Sequence, residues 1–197
     1  LQSKVTSIAQ AVSVLGFHSI RTLVTACSVT ASFTPRSGGQ FDFAAFWRHA
    51  TAGAVCARVL ARHLGVNVDT AFTAGLLHDL GTLVLVTRLP DEYAQVVQWQ
   101  REHDCTTAAA EQALFGTDHA AVGAALAAHW KFPQQIQAAV AGHHILLPDD
   151  SLAPADLTTV VQAANVLAHA LDLGGAENDQ APPLSLAVWR AFALDDA

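Results

Sequence analysis

His78 and Asp79 stand side by side at the end of an uncharged run, Ala71-Phe72-Thr73-Ala74-Gly75-Leu76-Leu77. Small and aliphatic residues there predict a buried helix. Desolvating a carboxylate costs several kcal/mol unless it is paired or bound to a metal. Further polar residues fall on the apolar faces of other expected helices: His49, His119, His143 with His144, and Asn165. Neutral imidazole and carboxylate are good ligands for Zn, Fe, Mn and related ions. Each lone histidine also has a plainer reading, as a hydrogen-bonded core residue. Convergence of His49, His78, Asp79, His119 and His143 or His144 on one polar pocket would separate the two. His18, His63, His103, His129 and His169 are expected at the surface or facing loops, with no role.

Nearly all the elements that must position these residues read as helices. Val5, Ile8, Val12 and Leu15 have helical spacing and Gly16 stops them; Ser19 can cap a helix burying Ile20, Leu23, Val24 and Cys27. Pro35 to Gln40 reads as a linker. A long helix is expected from about Phe43 to Leu64, with Phe46, His49, Gly53, Cys56 and Leu60 on one stripe. The central helix should run from about Thr70 to Leu80 and break at Gly81. Thr82 to Arg88 continues it as helix or, given its β-branched content, as strand. Helices follow from Pro90, from Ala108 to Phe115, from His119 to Trp130 behind a Thr117 or Asp118 cap, and from Pro133. Leu157, Val161, Asn165 and Ala168 share a later stripe, ended by Gly174-Gly175. Glu177 to Pro183 reads as a polar loop, and Leu184 to Leu194 as a last amphipathic helix. The expected class is an all-α bundle with non-parallel helices.

With 197 residues, 52% of them hydrophobic and 14% charged, the chain can bury one domain of ordinary size. Its net charge of −7 and lack of a basic run disfavour direct binding to nucleic acid. Cys27, Cys56 and Cys105 are odd in number and widely spaced, as expected of reduced thiols in a cytoplasmic protein. No signal peptide is seen, nor an apolar span of about 18 residues, so no membrane partner is expected. The chain opens at Leu1 and holds no Met, so we expect it to be part of something longer.

In order along the chain, Phe46-Trp47-Arg48-His49, Ala74-Gly75-Leu76-Leu77-His78-Asp79-Leu80-Gly81, Phe115-Gly116-Thr117-Asp118-His119-Ala120-Ala121-Val122-Gly123, Trp130-Lys131-Phe132-Pro133 and His143-His144 resemble the motifs of the HD superfamily of metal-dependent phosphohydrolases. The wording is closest to the HDOD branch, the HD-related output domains of bacterial signalling proteins. The resemblance spans at least Val5 to about Leu171. It implies an HD-domain-like helical bundle over residues 1–175 that lacks the family's N-terminal helices, with residues 176–197 a loop and C-terminal helix packed on it.

In active members of the superfamily, the His, the His-Asp pair and a final Asp bind the first metal. Here the final position is Asn165, whose carbonyl oxygen carries no charge. The HD-GYP phosphodiesterases continue His-Asp-x-Gly-Lys, with the Lys on phosphate; here that position is Thr82. They also carry Gly-Tyr-Pro after the paired histidines, where this chain has Ile145-Leu146-Leu147-Pro148. The resemblance therefore implies a non-catalytic regulatory output domain with a degenerate site at His49, His78, Asp79, His119, His143, His144 and Asn165. A divalent Fe, Mn, Zn, Ni or Mg ion is the expected cofactor, with an empty site left open. A protein partner or an N-terminal receiver or sensor domain would complete the signalling chain. The rival is a metal-dependent phosphohydrolase of phosphoesters or nucleotides, with Asp79 both ligating the ion and orienting the attacking water. A closed, purely structural ion site is a third reading.

Overall fold

Short polar side chains start seven of the helices. In a computed structural model, residues 7–15, 24, 41–148, 150–175, 180–183 and 185–192 are described. The helices are α1 (Ile8–Leu15), α2 (Phe43–Leu60), α3 (Val68–Leu77), α4 (Leu80–Arg88), α5 (Pro90–His103), α6 (Thr107–Phe115), α7 (His119–His129), α8 (Gln134–Gly142), α9 (Leu157–Ala170) and α10 (Leu186–Ala191). Asp42, Asn67, Thr106, Asp118, Asp156 and Ser185 accept first-turn N–H groups at α2, α3, α6, α7, α9 and α10, each worth about 1 kcal/mol. No strand occurs among the described residues, so the all-α class holds and Thr82 to Arg88 is helix.

Two units divide the chain, Leu1–Thr34 and Pro35–Ala197. In the first, α1 is capped by Ser7, whose Oγ accepts from the Gln10 N–H at 3.1 Å. The helix expected from Ser19, Cys27, and the Pro35 to Gln40 linker lie outside the described residues. All other elements belong to the second unit.

Several expected boundaries shift. Helix α2 stops at Leu60, not Leu64, because its last turn tightens: the Arg62 and His63 N–H groups donate to the Val59 and Leu60 carbonyls, and Gly65 takes φ +66°. The central helix breaks at His78-Asp79, two residues before Gly81. Gly81 is instead inside α4, where a Cβ would lie 1.9 Å from the His119 carbonyl oxygen and 2.7 Å from the Gly123 nitrogen. The glycine serves the approach of α4 to α7 and does not end a helix. Gly75 plays the same part between α3 and α2, 2.8 Å from the Gly53 carbonyl by the same measure. The last helix is shorter than expected, ending at Ala191.

The main core joins Ala57 and Leu60 of α2, Ala71 and Ala74 of α3, Val140 of α8, Val160 and Val161 of α9, and Val188 of α10. A second cluster packs Leu85 and Val86 of α4 on Tyr93 and Val96 of α5 and Ala110 of α6. The run Val68–Arg88 reaches the length and apolarity of a crossing helix, with a mean hydropathy of 1.3, contrary to the sequence reading. Most of it is buried in the core, and it is broken at the His-Asp pair.

Adding one methyl group at Gly81 should force α4 away from α7. Gly81→Ala is expected to cost about 3 kcal/mol and to lower the melting temperature by roughly 6–12 °C, read by thermal unfolding.

Candidate functional site

Five helices and the breaks beside them bring the polar residues together. His49 comes from the buried stripe of α2, and His78 and Asp79 from the break between α3 and α4. His119 opens α7, His143 and His144 form the turn after α8, and Asn165 lies on the buried face of α9. Asp79 is the hub. Its Oδ2 lies 3.4 Å from His49 Nε2 and 3.2 Å from His78 Nε2; its Oδ1 lies 3.4 Å from His119 Nε2 and 3.3 Å from His143 Nε2. Asn165 Oδ1 stands 3.0 Å from His49 Nε2 and 3.2 Å from His78 Nε2. His144 joins through a 2.9 Å contact between its Nε2 and that of His119. Every site residue expected from the sequence thus reaches one pocket. The histidines and Asp79 are buried or half-buried, with the Asp79 side chain 15% exposed.

Hydrogen bonds behind the rings set their tautomers. His78 Nδ1–H donates to the Gly75 carbonyl at 2.7 Å, and His143 Nδ1–H to the Val140 carbonyl at 2.7 Å. His119 Nδ1–H donates to Glu111 Oε2 at 2.6 Å, and the same oxygen accepts the His119 backbone N–H at 2.7 Å. In each neutral ring the Nε2 lone pair then points at Asp79. Lone pairs, a carboxylate and an amide oxygen so gathered could be balanced by a cation or by protons on the rings. Asn165 Nδ2 has no hydrogen-bond partner among the described residues, although it is buried. Two overlapping groups, His49-His78-Asp79 and Asp79-His119-His143-His144, each hold their donor atoms within 4.8 Å of one another. This His/Asp cluster could bind a metal.

Burial would raise the Asp79 carboxyl, but the surrounding imidazoles, His78 foremost, hold it well below its ordinary value. Burial would lower His78 and His119. Asp79 outweighs it at His78, and Glu111 together with Asp79 holds His119 well above its usual value. His143 and His144 go the other way, depressed by burial and, at His144, by the neighbouring imidazoles.

Two residues escaped the sequence reading. Glu111 is fully buried; the signal for it was a lone acidic residue in the otherwise uncharged α6, Thr107-Ala-Ala-Ala-Glu111-Gln-Ala-Leu-Phe115. His169, expected at the surface, is half-buried with its ring 4.2 Å from that of His49, because it follows Asn165 by one turn of α9. His63, His103 and His129 are exposed as expected. Cys56 and Cys105 are free thiols, and Cys27 is outside the described residues.

Fold and site together describe an all-α domain with a buried His/Asp cluster. The HDOD domain family matches residues 1–146, and the chain belongs to that family. An HDOD domain protein of unknown function from Geobacter sulfurreducens has the same fold, with a TM-score of 0.79 and 25% identity over 100% of this chain and 68% of that one. A protein of Shewanella amazonensis SB2B, provisionally named a phosphohydrolase, aligns with a TM-score of 0.73 and 26% identity over 98% of this chain and 74% of that one. A protein of Marinobacter aquaeolei VT8, provisionally named for signal transduction, shares the fold with a TM-score of 0.76 and 23% identity over 98% of this chain and 43% of that one. The chain spans 28% of the length of the curated relative it matches.

The buried Glu111–His119 pair gives a pH signature. The folded value of His119 lies above its unfolded value, so the stabilisation is full below about pH 6.5 and is lost as pH rises through the folded value. Glu111→Gln should destabilise the metal-free protein by about 3 kcal/mol near pH 6, with the gap to wild type narrowing as pH rises through the folded value of His119, read by denaturant unfolding.

Proposed function

We propose that this chain is a regulatory output domain of a bacterial signalling protein, non-catalytic, with an HD-type ion site reduced by one charge. The observation that carries the reading is Asn165. Its amide oxygen occupies the place beside His49 and His78 where an ionised carboxylate is expected of an active member. An amide offers a dipole and no charge, so this half of the pocket has only its share of Asp79 to balance a dication. Thr82, buried in α4, replaces the lysine that would hold a phosphate. The signal passes to a protein partner or to a receiver or sensor domain of the whole protein, in the cytoplasm. The Marinobacter relative's name mentions signal transduction and nothing finer.

On this reading His49, His78, Asp79 and Asn165 hold one divalent ion, and Asp79, His119, His143 and His144 another. The nitrogen-rich donor set suits Zn, Fe, Mn or Ni better than Mg. Such an ion, when bound, acts as a Lewis acid towards water and phosphoryl oxygens. The chain's own part is to orient the rings, through the Gly75 and Val140 carbonyls and Glu111, and to keep Asp79 ionised.

A second reading, a phosphohydrolase, is favoured by one observation: the Asp79-His119-His143-His144 group is complete and is backed by a buried carboxylate. Elemental analysis of protein purified without added metal or chelator comes first. We expect bound metal but no turnover of bis(p-nitrophenyl) phosphate. Turnover by wild type that vanishes in His78→Ala would overturn the non-catalytic reading. Asn165→Asp should tighten Mn2+ binding roughly tenfold by restoring the missing charge, read by calorimetry.

Protons compete with the ion for Nε2. Because His119 titrates above its usual value, ion uptake should fall as pH drops through that value, while Asp79 stays ionised. In Glu111→Gln that uptake edge should move to lower pH, seen in Zn2+ titrations across the neutral range.

A further inference from the structure

Gln162 of α9 is 5% exposed and sits behind the His143-His144 turn. Its Nε2 donates to two carbonyls, Gly142 at 2.7 Å and Ile145 at 2.8 Å. These are the residues immediately before and after the histidine pair. The Ile145 N–H closes the same four residues into a turn, donating to the Gly142 carbonyl at 3.0 Å. One amide group therefore clasps both ends of the segment that carries two of the candidate ligands. The amide orientation follows from its partners, since the reverse would set three oxygens against one another.

Little else holds the far side of this turn. The Ile145 and Leu146 side chains are exposed, and core packing resumes only at Leu147. On the near side a Cβ at Gly142 would meet the Thr158 methyl at 2.8 Å, so the turn lies close against α9. Gln162 Oε1 has no partner among the described residues although it is buried. A leucine would avoid that orphaned oxygen, so packing alone does not account for a glutamine here. Gln162 and Asn165 are three apart on one helix and share a face. The same face of α9 thus carries the amide that meets His49 and His78 and the amide that clasps the opposite pair.

We infer that Gln162 is a positioning residue that sets the His143 and His144 rings for ion binding without itself touching the ion. This rests on the ion-site reading given above, and the test separates the two. Co2+ is titrated into wild type, Gln162→Leu, Gln162→Met and Val161→Ala, and followed by its visible absorption. Hydrogen exchange at the Ile145 amide is measured in the same metal-free proteins. Both Gln162 variants should weaken Co2+ binding about tenfold or more, alter the Co2+ spectrum and speed Ile145 exchange. Val161→Ala loses buried core on the same helix and should keep Co2+ affinity and Ile145 exchange within about twofold of wild type. If Gln162→Leu does not fold, Gln162→Met carries the comparison; failure of both to fold would make Gln162 a folding residue and overturn the proposal. Wild-type behaviour in the Gln162 variants, or an equal loss in Val161→Ala, also overturns it. If wild type binds no Co2+, the ion-site reading falls and Ile145 exchange alone decides the role of Gln162.

Discussion

Everything in the second unit is arranged around the partly buried Asp79 carboxylate, which faces four imidazole Nε2 atoms at 3.2 to 3.4 Å. A charge so placed is tolerated only with compensation on every side. The break at residues 78 and 79 makes that possible. Consecutive side chains on a continuous helix diverge by about 100°, which would send His78 and Asp79 to different neighbours. With α3 ending at Leu77 and Asp79 at φ −96°, ψ 12°, the imidazole folds back onto the Gly75 carbonyl and the carboxylate stays beside it. The adjacency that marks the pair in the sequence depends on the helix ending there.

Short distances between side chains then demand short distances between helices. Glycine and alanine provide them. The Gly53–Gly75 and Gly81–Gly123 contacts leave no room for a Cβ at Gly75 or Gly81, and Ala50, Ala54, Ala57, Ala71 and Ala74 are all fully buried. The cost of glycine in a helix, about 1 kcal/mol relative to alanine, is offset by the packing it allows. The same small apolar residues make the Val68–Arg88 run look like a crossing helix, although its surface is spent on α2, α7 and α9.

This explains which features could be read from the chain and which could not. Helix stripes put His49, His119 and Asn165 on buried faces because period and burial agree there. Gly81 misled because glycine is a poor helix former in isolation, whereas tertiary packing decided its place in α4. Glu111 escaped because its partner lies eight residues on, across the Gly116 turn, and no periodic pattern links two residues through a left-handed cap. His169 escaped because the apolar stripe Leu157-Val161-Asn165-Ala168 passes beside it, and a half-buried polar residue at its edge breaks no pattern. The convergence of the ligand candidates came from helix faces and family likeness together; the hydrogen bonds that set each ring's tautomer had no trace in the spacing.

Charge is spread unevenly over the pocket, and that unevenness bears on both functional readings. Asp79 serves both halves. Glu111 lies behind His119 on one side, while the other side has only the Asn165 amide beside His49 and His78. At an effective dielectric near ~20, a nearby carboxylate is worth a few kcal/mol to a cation, well beyond what an amide dipole supplies. On the proposed reading the half built from His119, His143 and His144 is therefore the stronger of the two for an ion. A reaction that needs two ions clamping one substrate would be impaired by the loss of charge at the weaker half, whereas an ion that only ties α4, α7 and the turn after α8 together would not. On the proposed reading, Asn165 separates catalysis from ligand-held regulation by the charge it lacks, while its amide oxygen stays beside His49 and His78.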